Sequence, residues 1–264
     1  MFHTTGRGPA SAPVLRKAAV WLFWIALWQF AADLVHNPII FVGPLEMLRS
    51  LGEQFFEAGF WLTIGHSFGK ISLGFLGAFA SGLLLGSLAY CVPFAGELLE
   101  PFMSLIRSIP VASFVILALI WIGSGSLSVF ISYLVVLPMV YVNTIAGLSS
   151  TDPKLLEMAR VFHMTGLKKI RYIYVPALMP YLVSGCKTAL GMSWKSGIAA
   201  EVIGIPSSSI GEQLYYSKLY LDTAGLFAWT FVIVIVSAVF EQLFLFLLKR
   251  FWRKPGQPAG GAGV

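Results

Sequence analysis

The sequence predicts an all-α, polytopic membrane protein with about six transmembrane helices, and three observations carry that prediction. Of its 264 residues, 57% are apolar and only 11% charged, with a mean hydropathy of +0.80, far from the composition of a soluble domain. Six stretches, 18–35, 62–90, 98–122, 127–148, 177–203 and 225–248, are long and apolar enough to cross the bilayer, since a helix of about 20 residues spans roughly 30 Å of hydrocarbon. The basic residues, finally, are distributed unevenly between alternate loops. Arg7, Arg16 and Lys17 precede the first stretch, Lys154, Arg160, Lys168, Lys169 and Arg171 lie between the fourth and fifth, and Lys249, Arg250, Arg253 and Lys254 follow the sixth. With Met1 in the cytoplasm all of these are inside and only Arg49 and Lys218 lie in outer loops, as the positive-inside rule requires. Both termini are therefore expected to be cytoplasmic.

Residues 1–17 form a polar arm, 18–250 a single membrane domain, and 251–264 a flexible Gly/Pro/Ala tail. In the first span two basic residues precede an apolar run, as in a signal sequence. It lacks a convincing small-x-small cleavage site and repeats Trp21, Trp24 and Trp28 at helical spacing, so an uncleaved helix is expected. Between the first two spans, Pro44 suits a helix start, and Leu45, Leu48, Leu51 and Phe55 fall on one face of a short amphipathic helix on the outer surface. In the second span Gly74, Ala78, Gly82 and Gly86 recur every four residues. Such a stripe lets a neighbouring helix approach closely, where packing rather than hydrophobicity drives association. Packing inside this chain is favoured over a dimer contact.

Charges inside spans are expensive, on the order of 2.5–3.5 kcal/mol each at mid-membrane, and face protein or water. Lys70, Lys187 and Glu241 sit where snorkelling suffices. Arg107, Lys195 and Glu201 are harder to place. Arg107 precedes Ser108-Ile109-Pro110, and Pro110 removes a helix hydrogen bond, so a break in that span is expected. Arg107, Pro110, Lys195 and Glu201 are candidates for a translocation path favouring an anionic solute; the alternative is that Arg107 and Lys195 pair structurally with Glu201 or with backbone carbonyls.

Two cysteines make neither a disulfide framework nor a Cys-based zinc site, and His3, His36, His66 and His163 are scattered. The net charge of +6 is spread over membrane loops and implies no nucleic acid. No Ser/His/Asp arrangement, catalytic carboxylate pair or HExxH motif points to an enzyme.

The loop 149–176 carries the strongest signal. Asp152 is a natural N-cap and Pro153 suits the first helical position. Leu155, Ala159 and Phe162 then give an apolar stripe, Glu157 and Arg160 can pair at i, i+3, and Thr165-Gly166 permits a turn before a second, basic helix that runs into Pro176. A protruding amphipathic helix invites a groove on a partner, although a solvated surface loop has the same pattern.

This segment resembles the EAA loop of the membrane subunits of bacterial ABC importers. Glu157-Met158-Ala159 stands at the start of that pattern and Ile173-Tyr174-Val175-Pro176 at its end, in register over the family's nineteen-residue step. Met158 replaces the middle alanine, Val175 the leucine, and His163 the loop glycine, with Gly166 three residues later. The resemblance covers about Trp61 to Glu241, is closest to permeases of the nitrate, sulfonate and taurine type, and is supported by Arg107-Ser108-Ile109-Pro110, Gly191 to Lys195 and Ala199-Ala200-Glu201.

It implies a non-catalytic transport subunit in the bacterial cytoplasmic membrane. A separate ATP-binding cassette subunit would dock on Glu157, Met158, Ala159, Phe162, His163, Gly166 and Pro176. That partner would bind ATP and magnesium, since this sequence has no Gly-x-x-x-x-Gly-Lys-Ser/Thr loop and needs no cofactor of its own. An extracytoplasmic binding protein would deliver the solute, and two permeases, expected to be identical, would enclose the path amid membrane lipid. A vitamin precursor such as a thiamine pyrimidine is an alternative solute. An ion-coupled secondary carrier is the competing class, but it often shows repeated halves, and none is evident.

Overall fold

The computed structural model describes residues 12–252, and the helices named here are those among the described residues. They are α1 (Ala12–Val35), α2 (Pro44–Phe55), α3 (Ala58–Cys91), α4 (Pro93–Ser108), α5 (Val111–Ile122), α6 (Leu127–Ser149), α7 (Pro153–Val161), α8 (Gly166–Lys169), a π-helical turn (Ile170–Tyr174), α9 (Val175–Gly204), α10 (Ile210–Leu219) and α11 (Thr223–Trp252). No strand occurs among the described residues. The polar arm expected over 1–17 lies mostly, and the tail after Trp252 wholly, outside them, as do His3, Arg7, Arg253 and Lys254.

The chain divides into two compact units: the N-terminal part to Phe60 with Gln213–Phe231, and Trp61–Glu212 with the part from Val232 onward. In the first unit, α1 leaves a run of apolar side chains from Val20 to Leu27 exposed, which suits a helix surrounded by lipid. Trp28 instead turns inward: its Nε1 donates to the Val42 carbonyl at 3.0 Å and its ring lies 5.8 Å from Phe227. Helix α2 starts at Pro44 and buries Pro44 and Met47. The row Leu45, Leu48 and Phe55 is left exposed, so the apolar stripe read from the sequence faces outward rather than into the unit.

In the second unit α6 and α9 pack along an extensive interface, and α5 packs on both. Small residues permit the close approach. A Cβ on Gly147 would lie 2.7 Å from Leu178 Cδ1, one on Gly185 2.5 Å from Asn143 Cγ, and one on Gly197 2.6 Å from Ser132 Oγ. The stripe on α3 meets α6 of the same chain. Gly74 abuts the Val129 carbonyl, a Cβ on Gly82 would fall 2.8 Å from Val140 Cβ, and one on Gly86 2.7 Å from Thr144 Cβ; Ala78 is fully buried. Val115, Ala118, Leu127, Ile131 and Ala200 form one apolar core. Phe75 sits in another beside Phe240 and Phe244, meeting Phe244 edge-on at 4.9 Å.

Of the six spans expected from the sequence, 98–122 carries the break expected at Pro110, and 177–203 is less uniformly apolar than the rest. The stretch 98–122 is two helices, α4 and α5, bent by 104°. By helical rise they are about 24 and 18 Å long, so neither crosses the hydrocarbon alone. Ile109, forced out of the helical region as the residue before a proline, is extended at φ −74°, ψ 127°. Among the described residues, four helices, including most of α1, α3, α6 and most of α11, are long and apolar enough to cross, or five spans if the bent pair is one. Helix α9 has the length, about 45 Å, but not the uniform apolarity, because it carries Lys187, Lys195 and Glu201 and packs its apolar side against α6 and α5.

Candidate functional site

The loop between α6 and α9 folds as a helix, a turn and a helix. Asp152 caps α7 by accepting from the Lys154 amide at 2.9 Å, and Pro153 occupies the first turn. Of the expected apolar stripe, only Ala159 is buried, at 0% exposure; Leu155 is exposed and Phe162 is 74% exposed. Met158, Val161 and Leu167 are exposed too, so the loop presents an apolar patch that its own chain does not cover. Val161 and Leu167 were missed in the sequence reading, although apolar residues at such spacing in a polar loop are a signal. The expected Glu157–Arg160 pair is absent: Arg49–Glu53, at 3.2 Å, is the only salt bridge among the described residues. Glu157 is exposed, as are Lys154, Arg160 and Lys168 around the patch.

The turn lies at His163, not at Gly166. His163 is left-handed at φ 48°, its amide donates to the Arg160 carbonyl at 3.1 Å, and the Met164 amide donates to the Ala159 carbonyl at 2.9 Å. That is a complete Schellman closure with histidine where glycine is the usual occupant. Gly166 opens α8 and nothing lies within 4 Å of where its Cβ would be, so a shift of the turn to Gly166 is ruled out. From Gly166 the backbone runs without interruption through the π-turn into α9, the Val175 amide donating to the Ile170 carbonyl. Pro176 has no amide and its ring crowds the carbonyl four residues earlier; the wider π-turn relieves both. Ile173 is buried and Tyr174 meets Tyr90 edge-on at 6.1 Å, anchoring this junction to α3.

Among the intramembrane candidates, Arg107, Pro110 and Lys195 are exposed on this chain, and no hydrogen bond or ion pair joins Arg107 or Lys195 to Glu201 among the described residues. The unburied face of α9 carries Tyr181, Ser184, Thr188, Met192 and Lys195 at spacings of three and four. Glu201 is different: it is fully buried and lines no open surface of this chain. Its Oε2 accepts from Ser67 Oγ at 2.7 Å and from the Gly211 amide at 3.3 Å. Ser67 Oγ also accepts from the Ile210 amide at 2.9 Å, and Ser209 Oγ from the Glu212 amide at 3.0 Å. The first three amides of α10 are thus satisfied by three side chains. Ser209-Ile210-Gly211-Glu212 is a Ser-x-x-Glu helix start, a signal in the sequence for α10 between the last two apolar stretches.

The family model described as binding-protein-dependent transport system inner membrane component matches residues 78–253, which takes in the break at Pro110, the loop and the buried Glu201. The chain belongs to this family. As a permease it is 27% identical over 228 residues to the putative aliphatic sulfonates transport permease SsuC of Bacillus subtilis, covering 86% of this chain and 82% of the relative. It is 24% identical to the taurine transport permease TauC of Escherichia coli, over 89% of this chain and 88% of the other. It is also 24% identical to the nitrate import permease NrtB of Synechococcus elongatus, over 75% and 74%. Its fold is that of ABC transporter membrane subunits: an importer of the acidic polysaccharide alginate aligns with a TM-score of 0.57 at 16% identity, covering 94% of the permease and 97% of that chain. It is thus a multi-pass ABC importer permease of the sulfonate, taurine and nitrate type, a group that works with an ATPase and a solute-binding protein in the bacterial inner membrane.

Proposed function

We propose that this permease forms, with a second copy of itself, the membrane path for a small anionic solute handed over by an extracytoplasmic binding protein, and that its loop 149–176 docks a separate ATPase subunit on the cytoplasmic side. The observation that carries this is the uncovered apolar patch of α7, rimmed by Glu157 and basic residues, at the end of a rigid helix entering the membrane domain. A helix with an exposed apolar face on a short, well-capped stem fits helix-in-groove recognition. Met158, Phe162 and the turn at His163 form the docking surface, while Ala159 and Pro176 hold it in place. The anionic preference is supported by Arg107 and Lys195, neither with a partner among the described residues, and by Tyr181, Ser184 and Thr188 in line with Lys195 on α9, since a charge there cannot face hydrocarbon without cost and so faces water or a partner.

Affinity purification of the tagged chain from native membranes in mild detergent tests this. One ATP-binding subunit per permease is expected to co-purify and to be lost in Glu157→Lys and Ala159→Arg while membrane insertion persists. Normal retention of the ATPase subunit in both variants would refute the docking assignment.

A further inference from the structure

We propose that Glu201 is a positioning residue for transport: a buried latch that ties the far end of α9 to the start of α10 and exchanges partners with Ser128 of α6 when α9 moves. This rests on the permease reading, because α9 is the element that enters the loop proposed to dock the ATPase.

The connection is continuous. From Gly166 the chain is helical through the π-turn to Gly204, so a displacement of the loop is delivered to the other end of α9, about 45 Å away. Glu201 lies in the last turn there and bonds to the second amide of α10, directly at Gly211 and to the first through Ser67. Gly211 admits no side chain, since a Cβ on it would collide with Glu201 Cβ and with the α9 backbone. Gly211 therefore lies directly against Glu201, and the first turn of α10 must follow α9 or release it.

The carboxylate is only half used. Oε2 accepts two hydrogen bonds, whereas Oε1 is buried without a partner. Ser128 Oγ is a further donor beside this carboxylate, also buried, that makes no well-formed hydrogen bond to it. A buried carboxylate oxygen and a buried hydroxyl that stop short of a well-formed bond are costly in a fixed structure. They become useful when the group alternates between two sets of donors without leaving the protein interior. The connection after α9 is strained in the same sense: β-branched Ile205 is left-handed at φ 47° and Ser208 at φ 56°, conformations held only where the surroundings over-determine them.

Hydrogen exchange on the whole complex of permease and ATPase subunit in nanodiscs tests the latch, with ATP and vanadate as the probe, so that no solute need be known. Amide exchange across residues 205–212 is expected to rise about tenfold on trapping, as the α10 amides are released. Ser128→Ala, which leaves the Ser67 and Gly211 bonds in place, is expected to abolish that rise and to lower binding-protein-stimulated ATP hydrolysis while the ATPase subunit remains bound. Glu201→Gln should do the same, and the pair guards against a folding defect in either one. Equal exchange in resting and trapped wild-type complex, or a normal rise in Ser128→Ala, would overturn the latch and leave the permease reading standing. Failure of any ATPase subunit to associate with the wild-type chain would overturn that reading and the latch with it.

Discussion

His163 shows how one residue sets the geometry of a docking loop. It closes α7 in a left-handed conformation that costs a non-glycine residue about 1–2 kcal/mol, yet the closure is complete, because both carbonyls at the end of the helix are bonded. Replacing it with glycine should recover about 1 kcal/mol, read as roughly fivefold slower amide exchange across α7; unchanged or faster exchange would show that the His163 side chain stabilises the turn by other means. Ala159 makes the opposite case. With no exposed surface, it has no room for a long charged side chain, so Ala159→Arg must displace α7, whereas Glu157→Lys changes only the charge the loop presents. Gradual loss of the ATPase subunit with salt in Glu157→Lys, against salt-independent loss in Ala159→Arg, is the expected distinction.

At the scale of elements, the stripe of α3 and the break between α4 and α5 are each fixed by one local rule. The stripe seats α3 on α6, where a Cβ on Gly82 or Gly86 falls inside 3 Å of a neighbouring side chain. Gly82→Val is therefore expected to lower stability by about 1–3 kcal/mol, seen as a reduced midpoint of thermal unfolding in detergent, with Gly65→Ala, where nothing lies within 4 Å, as the neutral control. A loss of dimer without loss of thermal stability in Gly82→Val would instead place the stripe between subunits. Pro110 works through its neighbour: it pushes Ile109 into an extended conformation, so two short helices replace one span and bring Arg107 to the corner. A charge at a corner of broken helix can line water at a depth where a straight span would expose it to lipid.

At the scale of the whole molecule, permeases of this family work with an ATPase and a solute-binding protein. The predicted assembly is two permeases with two ATPase subunits, measured as mass by light scattering of the purified complex; a single permease per complex would contradict the paired path. Arg107→Met and Lys195→Met are each expected to reduce uptake of an anionic probe such as taurine about tenfold, equivalent to about 1.4 kcal/mol, with assembly unchanged. Wild-type kinetics in both would remove these cations from the path.

The amino-acid sequence by itself determined the membrane class, the helix start at Asp152-Pro153, the break near Pro110 and the small-residue stripe, because each rests on chemistry that acts within a few residues or on periodicity along one helix; the family followed from the resemblance carried by the loop 149–176. What it left open concerns residues far apart in the chain. Glu201 reads as a path charge in the sequence, and only the tertiary structure encloses it between Ser67, 134 positions away, and Gly211. The outward face of α2, the partners of Gly147 and Gly185, and the exposure of Val161 and Leu167 were decided there as well. A hydropathy pattern records that a side chain avoids water, but whether lipid, another helix or a second protein satisfies it depends on which surfaces folding brings together.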